Sequence, residues 1–320
     1  MPTPTAAIET SSAPADHLRA LMRTRCLGLP GAFNGLCARL VRDTGFDAAY
    51  VSGAAVTASY GVPDIGLLGL AEFTSVIHQV WLGSKLPIIA DADTGFGEAE
   101  MVRRVVHEYH RAGAAGLHIE DQVFPKRCGH LDGKALVPTD HFVEKIEAAA
   151  DARDALSESR ITSPESRGPF IVCARTDAFS VEGLDGAIER ARAYVEAGAD
   201  MIFPEGLSTL EGFETFAAAM RDMGGLGLAP QGGPFLLANM TEFGKTPITS
   251  LAEFERLGYH TVIWPVSTLR SAMGAARTLL NSLHEQGDVS AQLDTMLTRA
   301  DLYNLLGYQP GLEWRFGSAD

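Results

Sequence analysis

The sequence predicts an α/β protein that folds as a single (β/α)8 barrel of the TIM type over residues 1–320. Eight short apolar runs recur along the chain, and they are continuous rather than alternating, as expected for parallel strands buried on both faces. Segments with helical periodicity separate most of these runs. A doubly wound open sheet is the competing architecture, but no GxGxxG or GxxxxGK[ST] phosphate loop follows any run.

The predicted strands follow a short helix around His17 to Arg25. In chain order they are LGLPGAF from Leu27, DAAYVSG from Asp47, PIIADADTG from Pro87, AGLHIED from Ala115, FIVCARTD from Phe170, DMIFPEG from Asp200, GPFLLANM from Gly233 and HTVIWPV from His260.

The intervening helices are predicted from apolar residues that recur on one face. In the helix that Gly113 ends, these residues are Met101, Val102, Val105, Val106 and Tyr109. In the helix after the fifth strand, they are Leu184, Ile188, Ala191 and Val195. The pairs Ser208 with Glu211 and Ser250 with Glu253 have capping-box spacing and predict two further helix starts.

Three segments depart from this repeat. Residues 1 to about 15 predict a disordered lead-in, and the Ser- and Pro-rich stretch 155–169 predicts a surface insertion. Residues 271–316 predict a helical extension beyond the eight units. Surplus apolar helix at a terminus commonly packs onto another subunit, so we expect a homo-oligomer.

Composition limits the partners. A net charge of −14 disfavours nucleic acid and anionic membranes, because both require clustered Lys and Arg. Four cysteines without zinc or disulfide spacing fit a reducing cytoplasm. No apolar run is long enough to span a bilayer.

Polar residues stand at or just past the end of most apolar runs. Because the carboxyl ends of barrel strands meet at one mouth, we expect these side chains to form one site. They are Tyr50, Ser52, Asp91, Asp93, His118, Glu120, Arg175, Glu205, Asn239 and Thr241.

The acidic members of this set predict a metal site. Asp91 and Asp93 are two residues apart, so on an extended strand they point to the same side, and Glu120 could join them from the next strand. Carboxylate oxygens with water positions are typical of Mg2+ or Mn2+. The alternative is that DADTG is a turn whose aspartates cap the next helix.

A basic loop, PKRCGHLDGK from Pro125 to Lys134, follows the fourth strand and carries Cys128. Lys126, Arg127 and His130 favour its thiolate, which makes Cys128 a candidate acid, base or nucleophile rather than a surface thiol. Arg175 could hold a substrate carboxylate bidentately. This combination suits carbon–carbon bond chemistry on a polycarboxylate, with Cys128 giving a proton to the departing carbanion.

These motifs resemble those of the isocitrate lyase and phosphoenolpyruvate mutase superfamily. The similarity runs through nearly the whole chain in PGAFN, YVSGA, DADTGFG, GLHIEDQ, KRCGH, ARTDA, VEGLDGAIERA, FPE and NMTEFGKTP. KRCGH is specific to the lyase branch. The resemblance implies a tetramer of (β/α)8 barrels that exchanges C-terminal helices between subunits.

The resemblance also implies roles for individual residues. It places Mg2+ near Asp91, assisted through water by Asp64, Asp93 and Glu120. It implies that the substrate is bound by Ser52, Gly53, Ala54, Arg175, Glu205, Asn239, Thr241 and Arg270. The residues that would shape the cysteine loop are Lys126, Arg127, Gly129 and His130. Tyr50 would take part in deprotonating the substrate hydroxyl, and Cys128 would be the acid.

The implied reaction is cleavage of 2-methylisocitrate into pyruvate and succinate. Isocitrate and 2,3-dimethylmalate are alternative substrates, and oxaloacetate decarboxylation is an alternative reaction on the same scaffold. Ala54 departs from the family, where glycine is usual, and its methyl group would crowd amides expected to meet a carboxylate.

Overall fold

The computed structural model describes residues 13–127, 133–156, 169–223 and 228–314. Its centre is eight short parallel strands: β1 (Leu27–Pro30), β2 (Ala49–Val51), β3 (Ile88–Asp91), β4 (Gly116–Glu120), β5 (Ile171–Thr176), β6 (Met201–Pro204), β7 (Phe235–Asn239) and β8 (Thr261–Trp264). From β2 onwards each strand pairs with the next, and β8 pairs with β1. An isolated parallel bridge between Gly31 and Tyr50 joins β1 to β2. The Ala32 amide donates to the Tyr50 carbonyl at 2.8 Å where β1 meets β2. The predicted barrel and all eight strands are confirmed.

Helices precede, separate and follow the strands: α1 (Pro14–Met22), α2 (Gly35–Asp43), α3 (Gly53–Ser59), α4 (Leu70–Ser84), α5 (Ala99–Ala112), α6 (Thr139–Ala155), α7 (Phe179–Glu196), α8 (Leu210–Arg221), α9 (Leu251–Leu257), α10 (Ser267–Gln286) and α11 (Arg299–Leu305). A 3-10 helix, Ser290–Thr295, stands between α10 and α11. Helix α1 begins at Pro14, close to the predicted end of the lead-in at about residue 15.

The predicted helix ends are partly confirmed. Gly113 ends α5 in the left-handed conformation, and Ser250 caps α9 by accepting from the Glu253 amide. The prediction for Ser208 is wrong by one residue, because Thr209 caps α8 and accepts from the Gly212 amide. Helix α7 is interrupted at Gly183, whose φ of 78° is outside the helical region.

The core has an inner and an outer layer. Side chains that point into the barrel, such as Leu29, Ile89 and Phe235, pack with α1, which covers the amino ends of the strands. The outer layer lies between strands and helices and includes Phe73, Val105 and Phe142. Because α1 covers one end, the cavity at the other end is the one lined by strand-end polar residues.

Some predicted segments lie outside the described residues. These are residues 1–12, most of the insertion at 155–169, and the end of the chain from 315. The helices predicted at 271–316 are present up to α11. None of the helices in the described ranges is both long and apolar enough to cross a membrane.

Candidate active site

The carboxyl ends of the strands surround one cavity, as the sequence predicts. Predicted residues that line it are Tyr50, Ser52, Ala54, Asp64, Asp91, Lys126, Arg175, Glu205, Asn239, Thr241 and Arg270. Phe203, Ile263, Pro265 and Val266 form an apolar part of its wall. Cys128, Gly129 and His130 lie outside the described residues, whereas Lys126 and Arg127 precede that gap.

Asp91 and Asp93 approach each other through a turn. Asp91 ends β3, but Asp93 has a φ of 47°, so the expectation that both lie on one extended strand is wrong. The turn is held by Asp91, whose Oδ1 accepts from the Asp93 amide at 3.0 Å. Its Oδ2 accepts from the Gly53 amide at 2.9 Å. The Gly53 amide therefore binds Asp91, although the resemblance assigned Gly53 to the substrate.

Lys126 lies among the acidic side chains. Its ammonium is 2.8 Å from Asp93 Oδ1 and also forms an ion pair with Asp64. Burial alone would lower the pKa of Lys126, but Glu120, Asp93, Asp91 and Asp64 outweigh it and raise that pKa. Burial and the charge of Asp91 raise the pKa of Asp93 to about 6. Lys126 is thus a charged group in a buried acidic cluster.

Arg175, at the end of β5, is surrounded by carboxylates. Its Nε and Nη2 donate to the two oxygens of Asp177 at 2.9 and 3.0 Å. Its Nη1 is 3.1 Å from Glu120 Oε2 and 3.8 Å from Glu205 Oε2. Burial would lower the pKa of Arg175, but these three acids raise it well above its ordinary value. The guanidinium therefore stays charged.

Tyr50 and His118 form a buried pair beside Asp91. Tyr50 Oη is 2.7 Å from His118 Nε2, and His118 Nδ1 is 3.7 Å from Asp91 Oδ1. Burial lowers the pKa of His118 to about 4, so its imidazole is neutral near pH 7. Burial and Asp91 raise the pKa of Tyr50 well above its ordinary value. The pair is therefore a neutral phenol beside a neutral imidazole.

Neutral donors lie on the opposite wall. Asn239 ends β7, and its Nδ2 is 3.2 Å from Glu205 Oε2. Thr241 is buried two residues further on. Arg270 reaches the rim from α10, where its Nη1 donates to the Glu242 carbonyl at 2.7 Å. This wall supplies hydrogen-bond donors and a second guanidinium for an anionic ligand.

The acidic cluster has the oxygen chemistry of a divalent-cation site. Asp93 Oδ2 and Glu120 Oε1 are buried and have no hydrogen-bond partner within the described ranges. Such oxygens are costly to bury unless a cation or water satisfies them. In the same part of the chain, no three His, Cys, Asp or Glu side chains converge closely enough to form a complete ligand set. The residues fit a cation with few direct protein ligands and several waters, as Mg2+ prefers.

Sequence reasoning gave no role to Asp177 and Lys134. Asp177 binds Arg175, and Lys134 Nζ is 2.7 Å from Asp177 Oδ1. Asp177 directly follows β5, so the strand-end rule that selected Arg175 applied to it equally. Lys134 is the last residue of the basic loop.

A (β/α)8 barrel whose mouth holds buried carboxylates, a guanidinium and amide donors belongs to the class of enzymes that act on small organic acids. The phosphoenolpyruvate phosphomutase family model matches residues 18–284, and the chain belongs to this family.

Two relatives of similar sequence are named as 2-methylisocitrate lyases. The chain is 47% identical to the 2-methylisocitrate lyase of Aeropyrum pernix, over 91% of this chain and 86% of that protein. It is 48% identical to a probable 2-methylisocitrate lyase of Corynebacterium glutamicum, over 88% and 85%. The predicted membership of the superfamily is confirmed.

Two solved structures superpose on more than nine-tenths of this chain. A 2,3-dimethylmalate lyase superposes with a TM-score of 0.80 at 35% identity, covering 95% of this chain and 93% of that one. A phosphonopyruvate hydrolase in complex with oxalate and Mg2+ superposes with a TM-score of 0.77 at 29% identity, covering 92% and 95%.

Proposed function

We propose that this protein is a Mg2+-dependent oxo-acid lyase that cleaves 2-methylisocitrate into pyruvate and succinate. The observation that carries the proposal is that two kinds of group line one cavity. Asp64 and Asp91 supply acidic oxygens, and Arg175, Asn239 and Thr241 supply hydrogen-bond donors. A 2-hydroxy tricarboxylate needs both, because its hydroxy-acid end chelates a cation while its remaining carboxylates need fixed donors.

The residues that would hold the cation are Asp91 directly and Asp64, Asp93 and Glu120 through water. When bound, Mg2+ would stabilise negative charge on the hydroxyl and carboxylate oxygens of the substrate. The complex of the phosphonopyruvate hydrolase with oxalate and Mg2+ supports this choice of metal. Removing the metal with EDTA should abolish turnover, and added Mg2+ should restore it.

The reaction itself needs one base and one acid. The base removes the hydroxyl proton, the hydroxyl oxygen becomes the keto oxygen of pyruvate, and the bond between the two central carbons breaks. The electron pair of that bond stays on the succinate fragment, which takes one proton from the acid. Tyr50 is the proposed participant in removing the first proton, and its hydroxyl lies 2.7 Å from His118 Nε2.

Cys128 is the proposed acid, and Lys126 and Arg127 precede it on the chain. The Arg127 backbone amide donates to Gln122 Oε1 at 2.9 Å, and Gln122 Nε2 donates to the Arg127 carbonyl at 2.8 Å. These two bonds fix the chain one residue before Cys128. The cationic neighbours would also lower the pKa of the thiol.

The test is release of pyruvate from 2-methylisocitrate with Mg2+. We expect wild-type turnover, and we expect Cys128→Ser to remain folded while turnover falls by at least about a hundredfold, the lower range for a lost general acid. Cys37→Ser is the matched control, because Cys37 is a free, half-buried cysteine on α2 and does not line the cavity. Near-wild-type pyruvate release by Cys128→Ser would contradict the role of Cys128.

The alternatives give different products. Isocitrate would yield glyoxylate with succinate, and 2,3-dimethylmalate would yield pyruvate with propionate. An oxaloacetate decarboxylase would need no thiol acid, so activity that survives Cys128→Ala would indicate that reaction. Product analysis with a panel of these three 2-hydroxy acids and oxaloacetate separates all four reactions.

We also propose a cytoplasmic homotetramer. Apolar side chains of α10 and the segment after it are exposed, including Leu280, Leu293, Leu297 and Leu312. Exposed apolar surface of this extent supports an interface between subunits. Light scattering on the purified protein tests the assembly, and a monomeric mass would contradict it.

A further inference from the structure

The side chain of Asp177 makes contacts with two cations of the site. It is fully buried, and it binds the Arg175 guanidinium through both carboxylate oxygens. Its Oδ1 also accepts from Lys134 Nζ at 2.7 Å. Burial would raise the pKa of Asp177, but Arg175 and Lys134 hold it at about 2. Asp177 is therefore a permanent anion between the two cations.

Asp177 is itself held from behind by a second buried aspartate. Its amide donates to Asp121 Oδ1 at 2.9 Å. Asp121 Oδ2 accepts from the Thr176 and Tyr194 hydroxyls, both at 2.8 Å. A carboxylate anchored through its own backbone in this way keeps its position when a ligand enters or leaves.

The same aspartate pair is joined to the segment that follows residues 128–132. The Asp121 carbonyl accepts from the Val137 amide at 2.9 Å, and the Val123 amide donates to the Ala135 carbonyl at 2.8 Å. Lys134, which lies in this segment, adds the ion pair to Asp177. Residues 133–137 are thus fastened to the pair by backbone bonds and by one buried ion pair.

Other side chains besides Asp177 contact the Arg175 guanidinium and could change its orientation. Glu120 and Glu205 both face Nη1, and the Phe203 ring lies 5.2 Å from the guanidinium carbon. Two parallel hydrogen bonds to Asp177 fix the guanidinium plane, since a fork-to-fork pair is strongly directional. They also occupy the Nε–Nη2 edge, so Nη1 is the guanidinium nitrogen that Asp177 does not bind.

We propose that Asp177 is a positioning residue: it orients Arg175 for a substrate carboxylate and ties that orientation to the Lys134 segment. This inference rests on the proposed function for the identity of the ligand. Asp177 touches no reacting atom, so its loss should weaken binding of substrate and transition state alike. Such a loss raises KM and leaves kcat little changed.

The test compares Asp177→Asn with Asp200→Asn. Asp200 is also fully buried and also binds an arginine, with Arg153 Nη1 at 2.8 Å, but it lies at the amino end of β6, away from the cavity. Both variants should be less stable. Only Asp177→Asn should raise KM for 2-methylisocitrate, by about tenfold or more, while kcat changes by less than about threefold.

Product binding distinguishes this inference from the proposed function. We would titrate wild type and both variants calorimetrically with succinate and with pyruvate, each with Mg2+. A raised Kd for either product in Asp177→Asn, but not in Asp200→Asn, supports the positioning role. If wild type releases no pyruvate, only the proposed function is refuted, and this support for the positioning role remains. Unchanged KM and unchanged Kd for both products would overturn the positioning role.

A second variant covers a failure to fold. Asp177→Glu keeps the charge but moves the carboxylate against Arg175, so it should show the same rise in KM or Kd in a folded protein. Wild-type KM and Kd values in Asp177→Glu, with Asp177→Asn unfolded, would mean that Asp177 only stabilises the fold.

Discussion

Replacing Gly53 by alanine should displace the carboxylate of Asp91. A Cβ atom on Gly53 would lie 2.7 Å from Asp91 Oδ2 and 3.3 Å from Asp93 Oδ1. The first distance is too short for any real contact, so Asp91 would have to move. Asp91 cannot move freely, because each of its oxygens accepts a backbone hydrogen bond, one from Gly53 and one from Asp93.

The size of the effect follows from these two bonds. A hydrogen bond to a charged group contributes about 1.5–3 kcal/mol, and alanine is favoured over glycine in a helix by about 1 kcal/mol. Losing both bonds should therefore reduce the free energy of unfolding by about 2–5 kcal/mol after that gain. Displacement of Asp91 should also weaken Mg2+ binding by about tenfold or more, equivalent to about 1.4 kcal/mol.

Urea unfolding in EDTA measures the first effect, and calorimetric titration with MgCl2 measures the second. Ala58→Gly is the control, because Ala58 is exposed on the same helix α3 and changes only the helix propensity. It should cost at most about 1 kcal/mol and leave Mg2+ affinity unchanged. Gly53→Ala with wild-type stability and wild-type Mg2+ affinity would refute the reasoning.

Two further predictions concern residues away from the cavity. Burial lowers the pKa of His260 to about 4, and its Nδ1 accepts from the Leu236 amide at 3.0 Å. In the unfolded chain His260 has its ordinary pKa of about 6.5, so below that pH the unfolded state binds more protons than the folded state does. His260 should therefore contribute about 2 kcal/mol to the loss of stability from pH 7 to pH 5. His260→Asn keeps an acceptor for the Leu236 amide and should reduce that loss in urea unfolding; an unchanged pH dependence would contradict the prediction. Thr209→Ala should destabilise the protein by about 1 kcal/mol, because Thr209 caps α8. The control, Ser208→Ala, should change the free energy of unfolding by less than about 0.5 kcal/mol. Equal effects of the two variants in thermal unfolding would show that the capping assignment is wrong.

The strands and the chemical type of the site could be predicted from the sequence for a physical reason. A parallel strand buried on both faces is a continuous apolar run, and the barrel places whatever polar residue follows it at one mouth. Asp91, Glu120, Arg175 and Asn239 were found in this way. The Ser208 cap was misplaced by one residue because two neighbouring hydroxyl residues fit a helix start almost equally well.

The sequence by itself determined the eight-stranded barrel, the acidic and donor-bearing strand ends, and the family to which the chain belongs, because these depend on local pattern and motif. Only the tertiary structure decided which side chains pair. It showed that Asp91 and Asp93 meet through a left-handed turn, that the Gly53 amide binds Asp91, and that Asp177 holds Arg175. These pairings join residues from different strands and loops, so their distances depend on how the barrel closes, which no single stretch of sequence encodes.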